Sequence, residues 1–257
     1  QEQEILLALR TAGSPLVIHA DAGAGKSVLA ARLASSIPPS SVAVLYDCFG
    51  DGLYRNALHF RHRHRDALVQ IANELAARGL CHPLIPTAHA DAKQYMRAFV
   101  GRLAQAVGML RAKNSEASLC LIIDAADNAE MAAEEQREPA SFVRDLIRAP
   151  LPEGVHLALT CRTHRRSRLG APLDAQEIEL RSFSGNESTR HLRGVYPAAN
   201  DAEAAEFAYL SCSNPRVQAL ALKQRRPGLH PEDPARRPRT GAGPAAGSRA
   251  LRRGRHA

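Results

Sequence analysis

Apolar residues in this chain fall into short solid runs separated by longer stretches with helical spacing. The first run, Pro15-Leu16-Val17-Ile18, predicts a strand over 16–19. Runs over 42–46, 119–123 and 155–160, and a shorter one over 178–180, predict four more. Unbroken apolar stretches of this length between turn residues fit strands covered on both faces. Helical spacing predicts helices over 2–12, with Ile5, Leu6 and Leu9 on one face, and from about 26 to 36, ahead of Pro38-Pro39. It also predicts a helix over 57–78, with Leu68, Ile71, Ala72 and Leu75 on one face and Gly79 just past its end; others follow over 90–111 and 140–147. Strands separated by helices long enough for crossovers imply a mostly parallel sheet covered on both faces, an α/β fold of three layers. From residue 185 onward only helical patterns occur, over 187–193, 202–210 and 215–222. The expected organisation is an α/β domain over 1–184, the start of a helical subdomain over 185–222, and a tail over 223–257.

Charge separates the tail from the rest. The net charge is +8, yet from Lys223 onward ten basic residues meet two acids, so the first 222 residues carry 24 of each sign. The tail is rich in Arg, Pro, Ala and Gly and has almost no large apolar residue, so it cannot bury enough surface to offset its ordering entropy. It reads either as a basic arm for nucleic acid or membrane or as the product of a slipped reading frame, since the amphipathic pattern stops after Leu222. Nucleic acid is otherwise not an expected partner. The five cysteines, Cys48, Cys81, Cys120, Cys161 and Cys212, are scattered without a paired motif, which suits reduced thiols in a cytoplasmic protein. No apolar run approaches the roughly 20 residues of a membrane span, and no secretory leader pattern is present. The chain begins at Gln1, which leads us to expect a piece of a longer protein.

The chemistry concentrates at His19-Ala20-Asp21-Ala22-Gly23-Ala24-Gly25-Lys26-Ser27-Val28. A strand, a turn of small residues and a helix opening on Lys-Ser form the layout of a phosphate-binding loop. Small residues let successive amides curl around a polyphosphate, and the helix N-terminus adds partial positive charge. Lys26 reaches for β- and γ-phosphates, and the Ser27 hydroxyl suits Mg²⁺. Ala20 stands where the motif has its first glycine, which is harmless at a strand end and restrictive if φ must be positive. Asp124 ends the third predicted strand and would emerge beside this loop, where a carboxylate can hold Mg²⁺; Asp127, one short turn on, suits a water-polarising role. Arg162, at the end of the fourth strand, would face the same crevice and contact a γ-phosphate, or else be a surface arginine of the basic turn over 162–168. Pro215 opens a helix, which capping chemistry alone explains. The run Arg61-His62-Arg63-His64-Arg65 reads as the solvated start of a helix, with contact to phosphate, a partner chain or nucleic acid as the alternative.

With these residues placed, the chain resembles the STAND class of P-loop NTPases, the signalling ATPases that include NACHT and NB-ARC modules. The stretch from His19 to Ser27 is similar to their Walker A, and Ile122-Ile123-Asp124-Ala125-Ala126-Asp127-Asn128 to their extended Walker B, with Asn128 where a further acid is often found. Thr160-Cys161-Arg162 resembles their fourth-strand arginine motif, and Ser213-Asn214-Pro215 their Gly-x-Pro motif, in which the proline lies against adenine. The resemblance spans about residues 1–222 and omits the family's winged-helix part, sensor repeats and effector domain. It implies ATP or ADP with Mg²⁺ as ligand, held by Asp21, Ala22, Gly23, Ala24, Gly25, Lys26, Ser27, Val28 and Pro215, with Ser27 and Asp124 on the metal and Asp127 and Arg162 catalytic. It further implies a slowly hydrolysing switch whose parent protein self-associates when ATP-bound and answers to a trigger or effector protein. The insert after the second strand looks like that of bacterial antiviral-defence members. The competing readings are an AAA-type or DNA-associated ATPase, and a nucleotide-binding fragment without turnover.

Overall fold

The computed structural model describes residues 1–224 except Ala12 and Ala57, with only the backbone of Arg55; the predicted tail beyond 224 lies outside the described residues. Strands β1 (Leu16–Ala20), β2 (Val42–Asp47), β3 (Leu119–Asp124), β4 (Val155–Arg162) and β5 (Gln176–Glu179) form one sheet in the order β2-β3-β4-β1-β5. Every pairing in it is parallel. Alternation along the strands decides the layers. Leu16, Ile18, Cys120, Ile122 and Ala158 pack against Ile5 and Leu9 of α1 (Glu2–Thr11) and Leu29, Ala30 and Leu33 of α2 (Lys26–Ser35). Val17, Leu121, Ile123, Leu157, Leu159 and Cys161 face the other way. There they meet α3 (His64–Ala77), α4 (Ala92–Arg111), α5 (Ala126–Glu135) and α6 (Phe142–Leu146). Successive side chains of a strand point to opposite faces, so each solid apolar run feeds two cores at once.

The sequence-derived elements hold with shifted ends, apart from two. The helix expected over 57–78 starts only at His64. Tyr46 Oη donates to the Arg61 carbonyl at 3.0 Å, and the Phe142 amide donates to the His62 carbonyl at 3.0 Å. Carbonyls aimed at tertiary partners are not aligned along a helix axis, and the segment over 58–63 runs as a strap held to Tyr46 and Phe142 of the second core. Upstream of it, Asp51 and Gly52 have positive φ within the short 3-10 turn Gly50–Arg55. Helix α5 was absent from the sequence reading. Its buried face is made of Ala126, Asp127, Asn128, Ala129, Glu130, Ala132 and Ala133, small or polar residues that give no apolar stripe.

The Arg-His run does lead into α3, with Arg65 exposed, but its histidines are not solvated. His62 and His64 are buried and face carboxylates, His62 Nε2 to Glu138 at 3.1 Å and His64 Nε2 to Asp145 at 2.8 Å. Arg63 also pairs with Glu138 and lies over the Phe60 ring, while Arg61 donates to the Asp47 carbonyl and lies over Tyr46. After the sheet, α7 (Gly185–Arg193), α8 (Asp201–Leu210) and α9 (Pro215–Lys223) share a small apolar cluster of Leu192, Ala204 and Leu222. Among the described residues, no helix is long and apolar enough to cross a membrane.

Candidate nucleotide site

The turn between β1 and α2 lies at the carboxyl edge of the sheet. Gly23 and Gly25 have φ of 83° and 95°, the left-handed region that favours glycine, whereas Ala20 is the last residue of β1, in register with Arg162. The missing first glycine therefore costs nothing here. Gly25 is the N-cap residue of α2 and offers no side chain, so the first-turn amides of the helix remain for a ligand. Lys26 folds back over the loop: Nζ donates to the carbonyls of Ala20 and Asp21, both at 2.9 Å. Burial lowers its amine below the ordinary lysine value, with the charges of Asp127 and Asp124 opposing that and Arg162 adding to it. Ser27 follows on the first turn of α2, and the Val28 side chain is exposed.

The two acids of the third-strand motif have different neighbours. Asp124 is buried, and its Oδ1 accepts from the Thr160 hydroxyl of β4. The same hydroxyl oxygen accepts the Ala125 amide at 2.8 Å. Ala125 has a φ of 53°, an uncommon conformation for alanine that this amide bond helps to hold, and it starts α5 immediately. Asp127 lies on the first turn of α5, nearly fully buried, with Arg165 Nη1 3.4 Å from its Oδ2. Beside it, the buried Asn128 Oδ1 has no hydrogen-bond partner among the described residues. Arg162 ends β4 and opens the 3-10 turn Thr163–Leu169, which also carries Arg165. Arg166 of that turn approaches Nε2 of the buried His19 at 3.3 Å.

Pro215 is the first residue of α9, and that helix begins against the phosphate loop. Asn214, its N-cap residue, donates from Nδ2 to the Ala22 carbonyl at 3.0 Å, and the Arg216 amide donates to the Gly23 carbonyl at 3.1 Å. The structure thus gathers the loop, Asp124, Asp127, Arg162 and Pro215 at one edge of the sheet. Sequence reading missed Arg165, one of several arginines in its turn, and Asn214, whose signal was an N-cap asparagine directly before a helix-opening proline. A cavity of about 1030 Å³ lies at the opposite edge near Pro15, Ser118 and Val155. Its lining carries three arginines, Arg10, Arg111 and Arg148, and three acids, Glu116, Glu153 and Asp174, of which Arg111 and Glu153 form an ion pair at 3.2 Å.

The sequence profile of the NACHT domain matches residues 14–199. The chain belongs to the NACHT family. This places it in the STAND class of P-loop NTPases, and the NACHT match covers the phosphate loop, both acids and Arg162 but stops short of Asn214 and Pro215. No curated protein matches the chain. Among solved structures, a STAND protein with a tetratricopeptide repeat sensor from Pyrococcus horikoshii is 17% identical at a TM-score of 0.45, covering 88% of this chain and 30% of that one. The ORC1 protein of Aeropyrum pernix, solved with DNA, is 13% identical at 0.48, covering 88% and 60%. The Drosophila ORC bound to DNA is 11% identical at 0.50, covering 86% and 58%. This NACHT chain therefore spans between 30% and 60% of the length of these structures, and the match at 0.50, with 11% identity, is a likeness of fold alone.

Proposed function

We propose that this NACHT domain binds ATP or ADP with Mg²⁺ at the loop over 21–28 and works as a slowly hydrolysing signalling switch within a longer protein. The observation that carries the reading is the loop itself: two glycines at positive φ, an uncapped helix start, and a lysine that satisfies itself on loop carbonyls while facing two buried carboxylates. A lysine bonded to its own loop is ready to exchange those carbonyls for phosphate oxygens. The Ser27 hydroxyl and the Asp124 carboxylate are hard oxygen donors that fit Mg²⁺, which would neutralise phosphate charge when bound. Asp127 takes the proton of an attacking water in this reading, but only after leaving Arg165, and Asn128 adds no charge of its own. That supports slow turnover. Arg162 and Pro215 complete the crevice, one toward the terminal phosphate and one toward the base.

As a switch, the protein would use the difference in its affinity for ADP and ATP between two arrangements of the helical part; no larger shift is available to it. Self-association of the parent in the ATP state, control by a trigger or effector protein, and a role in bacterial antiviral defence belong to this proposal. Titration calorimetry with Mg²⁺-ADP and Mg²⁺-ATP tests it. Wild type should bind, and Lys26→Ala should lose most of that affinity, because the charge facing the phosphates is gone. Equal affinities for the two proteins would remove the loop from the account.

A further inference from the structure

Asn214 has two tasks at once. Its Oδ1 accepts the amides of Arg216 and Val217, which caps α9, and its Nδ2 donates to the Ala22 carbonyl at 3.0 Å. With the Arg216 amide on the Gly23 carbonyl, two successive carbonyls of the phosphate loop are tied to the start of α9. The peptide unit is planar and trans, so a carbonyl and the following amide point in opposite directions. Fixing the carbonyls of Ala22 and Gly23 toward α9 therefore turns the amides of Gly23 and Ala24 away from it. A phosphate-binding loop must present such amides; that of Ala24 rests on the Asp21 carbonyl at 3.4 Å, a long bond that a phosphate oxygen can replace. The approach is close enough that a Cβ on Gly23 would lie 2.7 Å from Asn214 Oδ1.

We propose that Asn214 is a positioning residue for nucleotide binding: docked, it preorganises the loop over 21–27, and nucleotide in turn holds α9 docked. The second half follows from linkage, since coupling between two sites is reciprocal. The turn that delivers Asn214 is strained, with Cys212 and Ser213 at φ of 48° and 51°, and the Phe183 amide ties Ser213 down through its carbonyl at 3.0 Å. Non-glycine residues hold that conformation at a cost, which here is met by the turn's own bonds to α8, the Ser213 amide donating to the Ala208 carbonyl at 2.8 Å, so Asn214 is delivered to the loop from a fixed turn.

This inference rests on the nucleotide reading above, and the test separates the two. In the full 257-residue chain, Asn214→Asp keeps the capping oxygens, since Asp caps as well as Asn, but faces the Ala22 carbonyl with a carboxylate and no donor. Mg²⁺-ADP affinity should fall about three- to tenfold, the scale of one lost hydrogen bond, with little change in nucleotide-free stability. Amide exchange should slow in the first turn of α9 when ADP is added to wild type, and that response should be lost in the variant. Asn214→Ser, which also caps but is too short to reach both partners, should weaken ADP in the same direction and serves as the test if Asn214→Asp does not fold. ADP affinity within twofold of wild type, or exchange in α9 that ignores ADP, would overturn the positioning role while leaving the nucleotide site standing. Failure of wild type to bind ADP or ATP would overturn both.

Discussion

The Thr160 hydroxyl sits between Asp124 and the Ala125 amide, and it ties the end of β3 to β4. Thr160→Val keeps the shape and deletes the donor, leaving a buried carboxylate oxygen and a buried amide without their partner. A loss of about 1–3 kcal/mol in urea unfolding is expected, together with weaker Mg²⁺-dependent nucleotide binding; unchanged values for both would show the hydroxyl to be idle. The two acids should separate cleanly. Asp124→Asn should weaken the Mg²⁺-dependent part of binding, while Asp127→Asn should leave binding nearly intact and slow hydrolysis, and the opposite pattern would reverse the roles. Arg165→Gln should release Asp127 and raise single-turnover hydrolysis several-fold with ADP affinity unchanged. A fall in rate would mean that Arg165 serves the phosphate instead. The sequence announced both acids because each stands in a motif. It also named Thr160, as part of the fourth-strand motif, but could announce neither the bond from Thr160 to Asp124 nor the pairing of Arg165 with Asp127, because both come from β4 and the turn after it lying beside β3 and α5.

At the scale of elements, legibility followed what each residue does locally. Solid apolar runs as short as Leu119 to Ile123, set between turn residues, favour a strand with two covered faces, and the structure bears it out. Helix α4 is also explicit, with a reciprocal Asp91–Gln94 cap at its start. Helix α5 buries alanines and acids, so no periodic apolar stripe marked it, and the strap over 58–63 is set by partners far along the chain. That strap yields a pH prediction. Burial holds the His62 imidazole below its ordinary value of 6.5, although Glu138 pulls the other way. Above about 6.5 the ring is neutral in both states and costs nothing; as pH falls below that value the unfolded chain takes the proton first, so stability drops. His62→Gln keeps a donor for Glu138 and removes the titration. The thermal advantage of wild type over this variant should shrink as pH falls from about 7.5 to 5.5. An advantage that stays constant or grows would show that Glu138 dominates.

For the whole molecule, the distribution of charge decides which polyanions it can hold. Cutting after Gln224 keeps α9 and removes nine arginines against two acids, leaving 25 basic and 24 acidic residues. Within the remaining body, four of the five residues of the Arg-His cluster are already engaged: Arg61 with the Asp47 carbonyl and the Tyr46 ring, Arg63 with Glu138, and both histidines with carboxylates, while Arg65 is exposed. Non-specific affinity for nucleic acid comes from neutralising backbone phosphates, and it declines steeply with salt in proportion to the cations engaged. Any DNA or RNA binding by the full chain should therefore show a steep salt slope and vanish after truncation, whereas Mg²⁺-ADP affinity should be retained. Fluorescence anisotropy across a salt series, on both lengths of chain, measures the first; calorimetry measures the second. A truncated protein that still bound DNA tightly at physiological salt would mean that the internal ion pairs open for phosphate. The DNA-associated ATPase would then displace the signalling switch as the better account of what this domain does.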